Sequence, residues 1–240
     1  MSICGRCGGV NISDEVCPEC GLPPRTSKIK EKVQVQDISQ ISEKIDSLNI
    51  PKFYLGKNWS AEMFWSSHEN KRRDKLVCTY IDQMEKVHTM FKNGTIPQRS
   101  AIFIAPADYS KLIFAYSCMQ YALKHDYTVA PILDTLEIKR LFILSSEKPN
   151  QNFLGLNYED FVNADVLFFT VTKTEYRRAA YSIIVELLDK RARRGKCTIG
   201  ISRYTVYELS NWDTSNDFRQ ILKPVNDIDL LKTPAIISCI

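Results

Sequence analysis

Apolar residues alternate along this chain between short unbroken runs and longer stretches in which they return every third or fourth position. The runs read as strands buried on both faces, the periodic stretches as helices with one buried side. Ala101-Ile102-Phe103-Ile104 is the first run. A helix follows from Lys111, with Leu112, Tyr116, Met119 and Leu123 on one face. Thr128–Ile132 reads as a second strand, and Asp134–Leu144 as a helix carrying Leu136, Leu141 and Phe142. Val166–Phe169 is a third strand, and the helix Glu175–Arg193 places Tyr176, Ala180, Ile183, Ile184, Leu187 and Leu188 on its apolar side. Cys197–Ile201 makes a fourth strand, a short helix lies near Val206–Leu209, and Ala235–Cys239 is the candidate last strand. Strand and helix alternate throughout, which predicts an α/β fold around a parallel, doubly wound sheet.

Ahead of this region the pattern changes. A helix over Glu69–Asn93 carries Leu76, Tyr80, Met84, Val87 and Phe91 on one face and stops at Asn93-Gly94. The aromatics Phe53, Tyr54, Trp59, Phe64 and Trp65 gather before it, and core packing is the default for such a group. Asp37 caps an amphipathic stretch with Ile38, Ile41, Ile45 and Leu48 on one stripe, expected to pack on its own domain. Leu22–Gln36 is rich in proline, lysine and polar residues and reads as an extended tether. The expected division is therefore a small module over residues 1–22, a linker with a short helix over 23–49, and the α/β domain over 50–240.

Composition adds few constraints. With 240 residues, 44% hydrophobic and 25% charged, the chain has enough apolar material for one good core and a small appendage. A net charge of +4 is too mild to imply nucleic acid by itself. No stretch approaches the roughly 18 apolar residues of a membrane helix, and the first residues do not resemble a signal peptide, so a cytoplasmic location without membrane attachment is expected.

Cysteine spacing gives the sharpest chemical signal. Cys4-Gly5-Arg6-Cys7 and Cys17-Pro18-Glu19-Cys20, each followed by glycine, form a C-x2-C pair of pairs. Each pair presents two thiolates to one metal, so Cys4, Cys7, Cys17 and Cys20 are expected to hold a tetrahedral structural zinc ion. So short a segment cannot fold by burial alone, and metal binding would supply on the order of 10 kcal/mol. Cys78, Cys118, Cys197 and Cys239 lie apart in apolar surroundings and read as buried hydrophobes.

The second chemical candidate is Lys111. The stretch from Ala105 to Leu112 fits the frame of a phosphate-binding loop, strand then turn then lysine at a helix start, but Ala105 and Ser110 replace its two glycines. Leu112 replaces the hydroxyl that would hold magnesium. The glycines let backbone N–H groups close around phosphate oxygens, so their loss argues against ATP, as does the like charge of Asp108.

The order of elements, with Ile50-Pro51-Lys52-Phe53-Tyr54 ahead of it, resembles the bacterial replicative helicase loaders of the DnaC and DnaI type, which are AAA+ proteins. Phe114–Leu123 resembles their helix after the phosphate loop, and Ala164–Phe169 their Walker B strand. Leu187–Ile199, with Arg193-Arg194-Gly195-Lys196, resembles their basic helix end and sensor strand, and Ser202-Arg203 falls where a Ser-Asn pair would stand. The likeness covers about Ile50 to Ser210. It implies a P-loop-like fold and a role in DNA replication, with a replicative helicase or other replication protein as partner, single-stranded DNA as a further candidate, and a hetero-oligomer as the working state. Thr170 and Val171 stand where the resemblance implies two acids, Arg203 replaces the sensor asparagine, and Arg219 is the only counterpart offered for an arginine finger.

Phosphoryl transfer needs a cradle, a metal and a positioned water, so a pseudo-ATPase that is not an enzyme is the leading expectation. Two alternatives stay open. One is an active ATP-dependent loader with an aberrant loop centred on Lys111. The other is a zinc-ribbon nucleic-acid-binding regulator using Arg177, Arg178, Arg191, Arg193, Arg194 and Lys196, although basic residues at a helix end commonly just complement its dipole.

Overall fold

The structure is a computed structural model that describes residues 2–3, 10–11, 44–45, 48, 50–97, 100–105, 110–147, 153, 155–172, 177–205, 208 and 235–238. The chain forms two units, Met1–Val35 and Gln36–Ile240. In the first, β1 (Ser2–Ile3) and β2 (Val10–Asn11) pair antiparallel, Ser2 opposite Asn11 and Ile3 opposite Val10. Cys4, Cys7, Cys17 and Cys20 and the tether lie outside the described residues.

In the second unit the described chain runs through α1 (Ala61–Ser67), α2 (Lys75–Lys92), β3 (Ala101–Ile104), α3 (Lys111–Lys124), β4 (Leu133–Asp134) and α4 (Thr135–Glu147). It continues through α5 (Tyr158–Asn163), β5 (Val166–Val171), α6 (Arg177–Arg193), β6 (Cys197–Ser202) and β7 (Ala235–Ser238). The sheet order is β4-β5-β6-β3-β7. β4, β5, β6 and β3 are mutually parallel, and helices flank them on both faces. This is an α/β fold compatible with the doubly wound order expected.

One strand departs from that expectation: β7 lies antiparallel to β3, Ala101 opposite Ser238. It closes one end of the strand order, where parallel sheets often accept an antiparallel strand. The expected strand Thr128–Ile132 is reduced to a bridge between Val129 and Val166, with β4 displaced to Leu133–Asp134. Pro131 lacks the N–H that a continuous ladder would need there.

Alternation along each strand splits the core in two. Ile102, Ile104, Leu167, Phe169 and Val171 face α4, α5 and α6, where they meet Ile138, Leu141, Phe161, Val162, Ile184 and Leu187. Phe103, Val166, Phe168, Ile199 and Ile201 face α2 and α3, where they meet Tyr80, Met84, Phe91, Phe114 and Met119. Ile45 and Leu48 belong to this second core, as expected for packing on the same domain. Gly200 shows how tight the first face is. A Cβ there would come within 2.8 Å of the Phe169 ring and 3.0 Å of Ile102.

Leu76 does not join the expected stripe: it is 42% exposed, because the Asp74 cap starts α2 at Lys75 and the buried set becomes Val77, Tyr80, Ile81, Met84, His88 and Phe91. Two short helices escaped the periodic pattern. α1 is capped by the Ser60 hydroxyl, which accepts from the Met63 N–H, and α5 by Asn157, which accepts from the Asp160 N–H.

Arg191 is wholly buried on the inner side of α6. Its Nη1 donates to the carbonyls of Val162 at 2.8 Å and Ala164 at 2.7 Å, at the C-terminal end of α5. Its Nε donates to Thr198 Oγ1 at 2.7 Å, and Nη2 donates to the Cys197 carbonyl, so the same side chain holds the start of β6. Burial pushes the guanidinium down to about 10, which still leaves it charged at neutral pH. The negative end of the α5 dipole favours that charge. Among the described residues, no helix is long and apolar enough to cross a membrane.

His88 is the other buried polar group at a helix interface; its Nε2 lies 2.8 Å from the Ser117 hydroxyl of α3. Burial, helped by the nearby charge of Lys92, pushes the imidazole down from 6.5 to about 4.

Two predictions follow from these buried groups. Arg191→Met keeps the stem but strips the carbonyls at the end of α5 and the start of β6, and should lower the unfolding free energy by about 3 kcal/mol or more in urea titration. For His88, the unfolded chain takes up its proton near 6.5 and the folded one near 4, so stability should fall as pH drops through that window. Urea midpoints followed over this range should fall more steeply for the native protein than for His88→Phe.

Candidate functional site

The carboxyl ends of parallel strands are where open α/β sheets bind ligands. Here the ends of β3, β5 and β6 lie side by side, because β6 is inserted between the other two. Lys111, Thr170, Val171 and Ser202 are thereby brought to one edge although they are distant in sequence.

Lys111 begins α3, and Ser110 before it has a left-handed backbone, φ 53 and ψ 30. A serine there is disfavoured by about 1 kcal/mol relative to glycine. Residues 106–109 lie outside the described residues.

The lysine side chain turns inward. It is 4% exposed, and its ammonium donates to the carbonyl of Ala105 and, at 3.1 Å, to that of Ser202. The Ser202 carbonyl also accepts the Ala105 N–H at 3.0 Å. The buried side of α3 is set by Lys111, Phe114, Ala115, Cys118 and Ala122, so the expected stripe is corrected: Met119 and Leu123 are buried but Leu112 and Tyr116 are only half-buried. Leu112, where a magnesium-binding hydroxyl would stand, is half-buried.

At the end of β5, Thr170 is half-buried and Val171 is buried in the core against α4 and α6. Neither supplies a carboxylate at the end of this strand. One strand over, Asp134 pairs with Thr170 in the ladder, and its carboxylate accepts from the N–H groups of Leu136 and Glu137, both at 2.8 Å. Glu137 in turn accepts from the Asp134 N–H at 2.8 Å. This reciprocal cap of α4 was readable as an acid three positions before a glutamate, a signal the periodicity reading passed over. Thr135 and Thr172 join the two strands' ends through a 2.8 Å hydroxyl contact. The acids at this edge therefore serve helix α4.

Arg203, in the place of the sensor asparagine, is exposed and lies over the ring of its neighbour Tyr204, 5.4 Å from the centroid. Beyond it, Thr205 and Glu208 cap each other, Glu208 accepting from the Thr205 N–H at 2.7 Å, at the position of the short helix expected near Val206. Arg219 lies outside the described residues.

The Ile50–Tyr54 segment docks beside this edge. Tyr54 stacks on Tyr116 of α3 with centroids 4.6 Å apart, and Gln120 donates to the Tyr54 carbonyl while accepting the Gly56 N–H at 3.2 Å. Burial, then Tyr54 and Glu137, push the Tyr116 hydroxyl above its usual range. Phe53 is left 65% exposed with the Lys57 ammonium over its ring.

The basic stretch at the end of α6 is laced with partners. Arg191 is internal, Arg193 pairs with Asp189 at 2.8 Å, Arg194 with Glu159 at 3.5 Å, and Lys196 with Asp165 at 2.7 Å. Arg177 and Arg178 lie in the first turn of the helix. At the start of α2, Arg72 pairs with Glu62 at 3.5 Å and lies over Trp65. Arg191 was legible, since it continues the apolar stripe of Ile184, Leu187 and Leu188.

Among the described residues no group of His, Cys, Asp or Glu is gathered to hold a metal ion. The zinc candidates Cys4 and Cys7 fall in sequence between β1 and β2 and, like Cys17 and Cys20, lie outside the described residues. The described residues at the edge of the large sheet do not fit a magnesium nucleotide: the ammonium faces inward, and the strand-end positions carry threonine and valine.

An acid at this strand end would test how tightly the core closes over it. Val171→Glu would bury a carboxylate in the core and should lower stability by about 3 kcal/mol or more, measured by urea denaturation.

Comparison of the chain with known protein families, and separately with characterised proteins, finds no match.

Proposed function

We propose that this protein is a non-catalytic relative of the DnaC and DnaI type helicase loaders, with a degenerate AAA+ fold, that acts by binding a replicative helicase or another replication protein without hydrolysing ATP. The observation that carries the reading is a convergence. The three segments likened to phosphate loop, Walker B strand and sensor strand end side by side on adjacent parallel strands, as a nucleotide site would require. At that shared edge each chemically necessary group is replaced or turned away: Ser110 for glycine, Leu112 for a hydroxyl, Thr170 and Val171 for acids, Lys111 directed at carbonyls.

A scaffold of that kind retains a shape and loses a cycle. Positioning and charge stabilisation supply nearly all of phosphoryl-transfer catalysis, so removing several parts together leaves no useful rate. The α/β unit then works as a docking body. In the other unit Cys4, Cys7, Cys17 and Cys20 hold a structural zinc ion, for which the β1–β2 hairpin is the supporting geometry. The alternative of a nucleic-acid regulator draws less support, because the basic side chains at the end of α6 are paired with carboxylates or buried.

The reading is tested by mixing the full chain with the replicative helicase of its host and measuring mass by light scattering. A stoichiometric complex that forms equally with and without ATP is expected; no complex would overturn the reading. The purified protein should carry one zinc per chain by elemental analysis, and Cys17→Ser with Cys20→Ser should abolish it.

A further inference from the structure

The segment from Pro51 to Asn58 leaves the second core at Ile50 and re-enters it at Trp59, both buried. Between these anchors it carries two lysines and no acid. Lys52–Tyr54 forms one 3-10 turn, closed by the Leu55 N–H donating to the Lys52 carbonyl. The turn is clamped to α3: Tyr54 stacks on Tyr116, and the Gln120 side chain holds the backbone at the Tyr54 carbonyl and the Gly56 N–H.

The clamp fixes the backbone and leaves its apolar side chains in water. Among the described residues three large apolar side chains are exposed, and two of them, Phe53 at 65% and Leu55 at 39%, stand on this turn. Single exposed apolar residues are ordinary; an aromatic and a leucine held together beside cations match the anchor and polar rim of a protein interface. The Lys57 ammonium lies 3.1 Å from the centroid of the Phe53 ring, and Lys52 is exposed on the same turn. Neither lysine has a carboxylate within ion-pair distance among the described residues.

We propose that Phe53 and Leu55, with Lys52 and Lys57, form the patch on which the replication partner docks, and that the partner presents an acidic segment carrying an apolar anchor side chain. The inference rests on the proposed function for the partner and adds where, and by what chemistry, it is held. Carboxylates of such a segment would meet two ammonium groups while its apolar side chain covers Phe53 and Leu55. The turn is ordered beforehand, so docking costs little further ordering. Single-stranded nucleic acid fits less well, because Lys57 occupies a face of the Phe53 ring on which a base would stack, and two cations are few for a phosphate backbone.

The test is titration calorimetry of the full chain with the replicative helicase of its host, using the native protein, Phe53→Ser, Lys52→Glu and the control Lys86→Glu on the exposed side of α2. The exchanged side chains are exposed, so the variants should keep the native unfolding midpoint. Binding weakened about tenfold or more by Phe53→Ser and by Lys52→Glu, and unchanged by Lys86→Glu, is the expected result. Patch variants that bind as tightly as the native protein would overturn the docking patch and leave the proposed function standing. A native protein that binds no helicase would overturn both. An equal loss with Lys86→Glu would reduce the charge effect to net charge and overturn the patch. So would a native dimer that Phe53→Ser dissociates, which assigns the turn to a second copy of this chain, or binding of oligothymidine that Phe53→Ser abolishes, which assigns it to nucleic acid.

Discussion

The carbonyl groups at the two ends of β6 have to be satisfied in a place without water, and two cations do it. At the start of the strand the Arg191 guanidinium takes the Cys197 carbonyl and the Thr198 hydroxyl, and at its end the Lys111 ammonium takes the Ser202 carbonyl. β6 lies between β5 and β3, so what fixes its ends fixes the middle of the sheet. Both cations come from helices on opposite faces, α6 and α3, and each reaches the strand through the layer it belongs to. Loss of the Arg191 guanidinium would strip the carbonyls of Val162, Ala164 and Cys197 together, whereas the Ser202 carbonyl would keep the Ala105 N–H.

The shape of the edge comes from the parallel ladders β3·β6 and β5·β6 and from apolar packing on both sides, none of which depends on acids or glycines. Thr170 is half-buried and Val171 belongs to the core. The acids that remain nearby, Asp134 and Glu137, are held by the N–H groups at the start of α4 and by each other.

How much of this could be read from the residues depends on the kind of signal. β3, β5 and β6 are continuous apolar runs covered on both faces, and such runs announce themselves. α1 and α5, at seven and six residues, are too short for periodicity, and their caps Ser60 and Asn157 were the only cue. The strand around Val129 was drawn too long because Pro131 was weighed less than the apolar residues beside it. Lys111 is legible as a residue and not as an orientation: motif position points it outward, the stripe of Leu112, Tyr116, Met119 and Leu123 leaves it off the buried face, and the packing of Phe114, Ala115 and Cys118 turns it inward. Arg191 was read among surface charges, and its place on the stripe of Ile184 and Leu188 was the better guide. The direction of β7 was not legible, since an edge strand of Ala235–Ser238 can pair either way.

The shortness of β4 has an effect at the level of the whole particle. Exposed strand edges are templates on which other chains can lay down a further strand, and long flat ones invite self-association into aggregates. At this end of the sheet the template is two residues, Leu133 and Asp134, and the chain turns at once into a capped helix. A proline and a carboxylate stand where an incoming chain would need free N–H and C=O groups in a row. This edge therefore gives another chain little opportunity to extend the sheet.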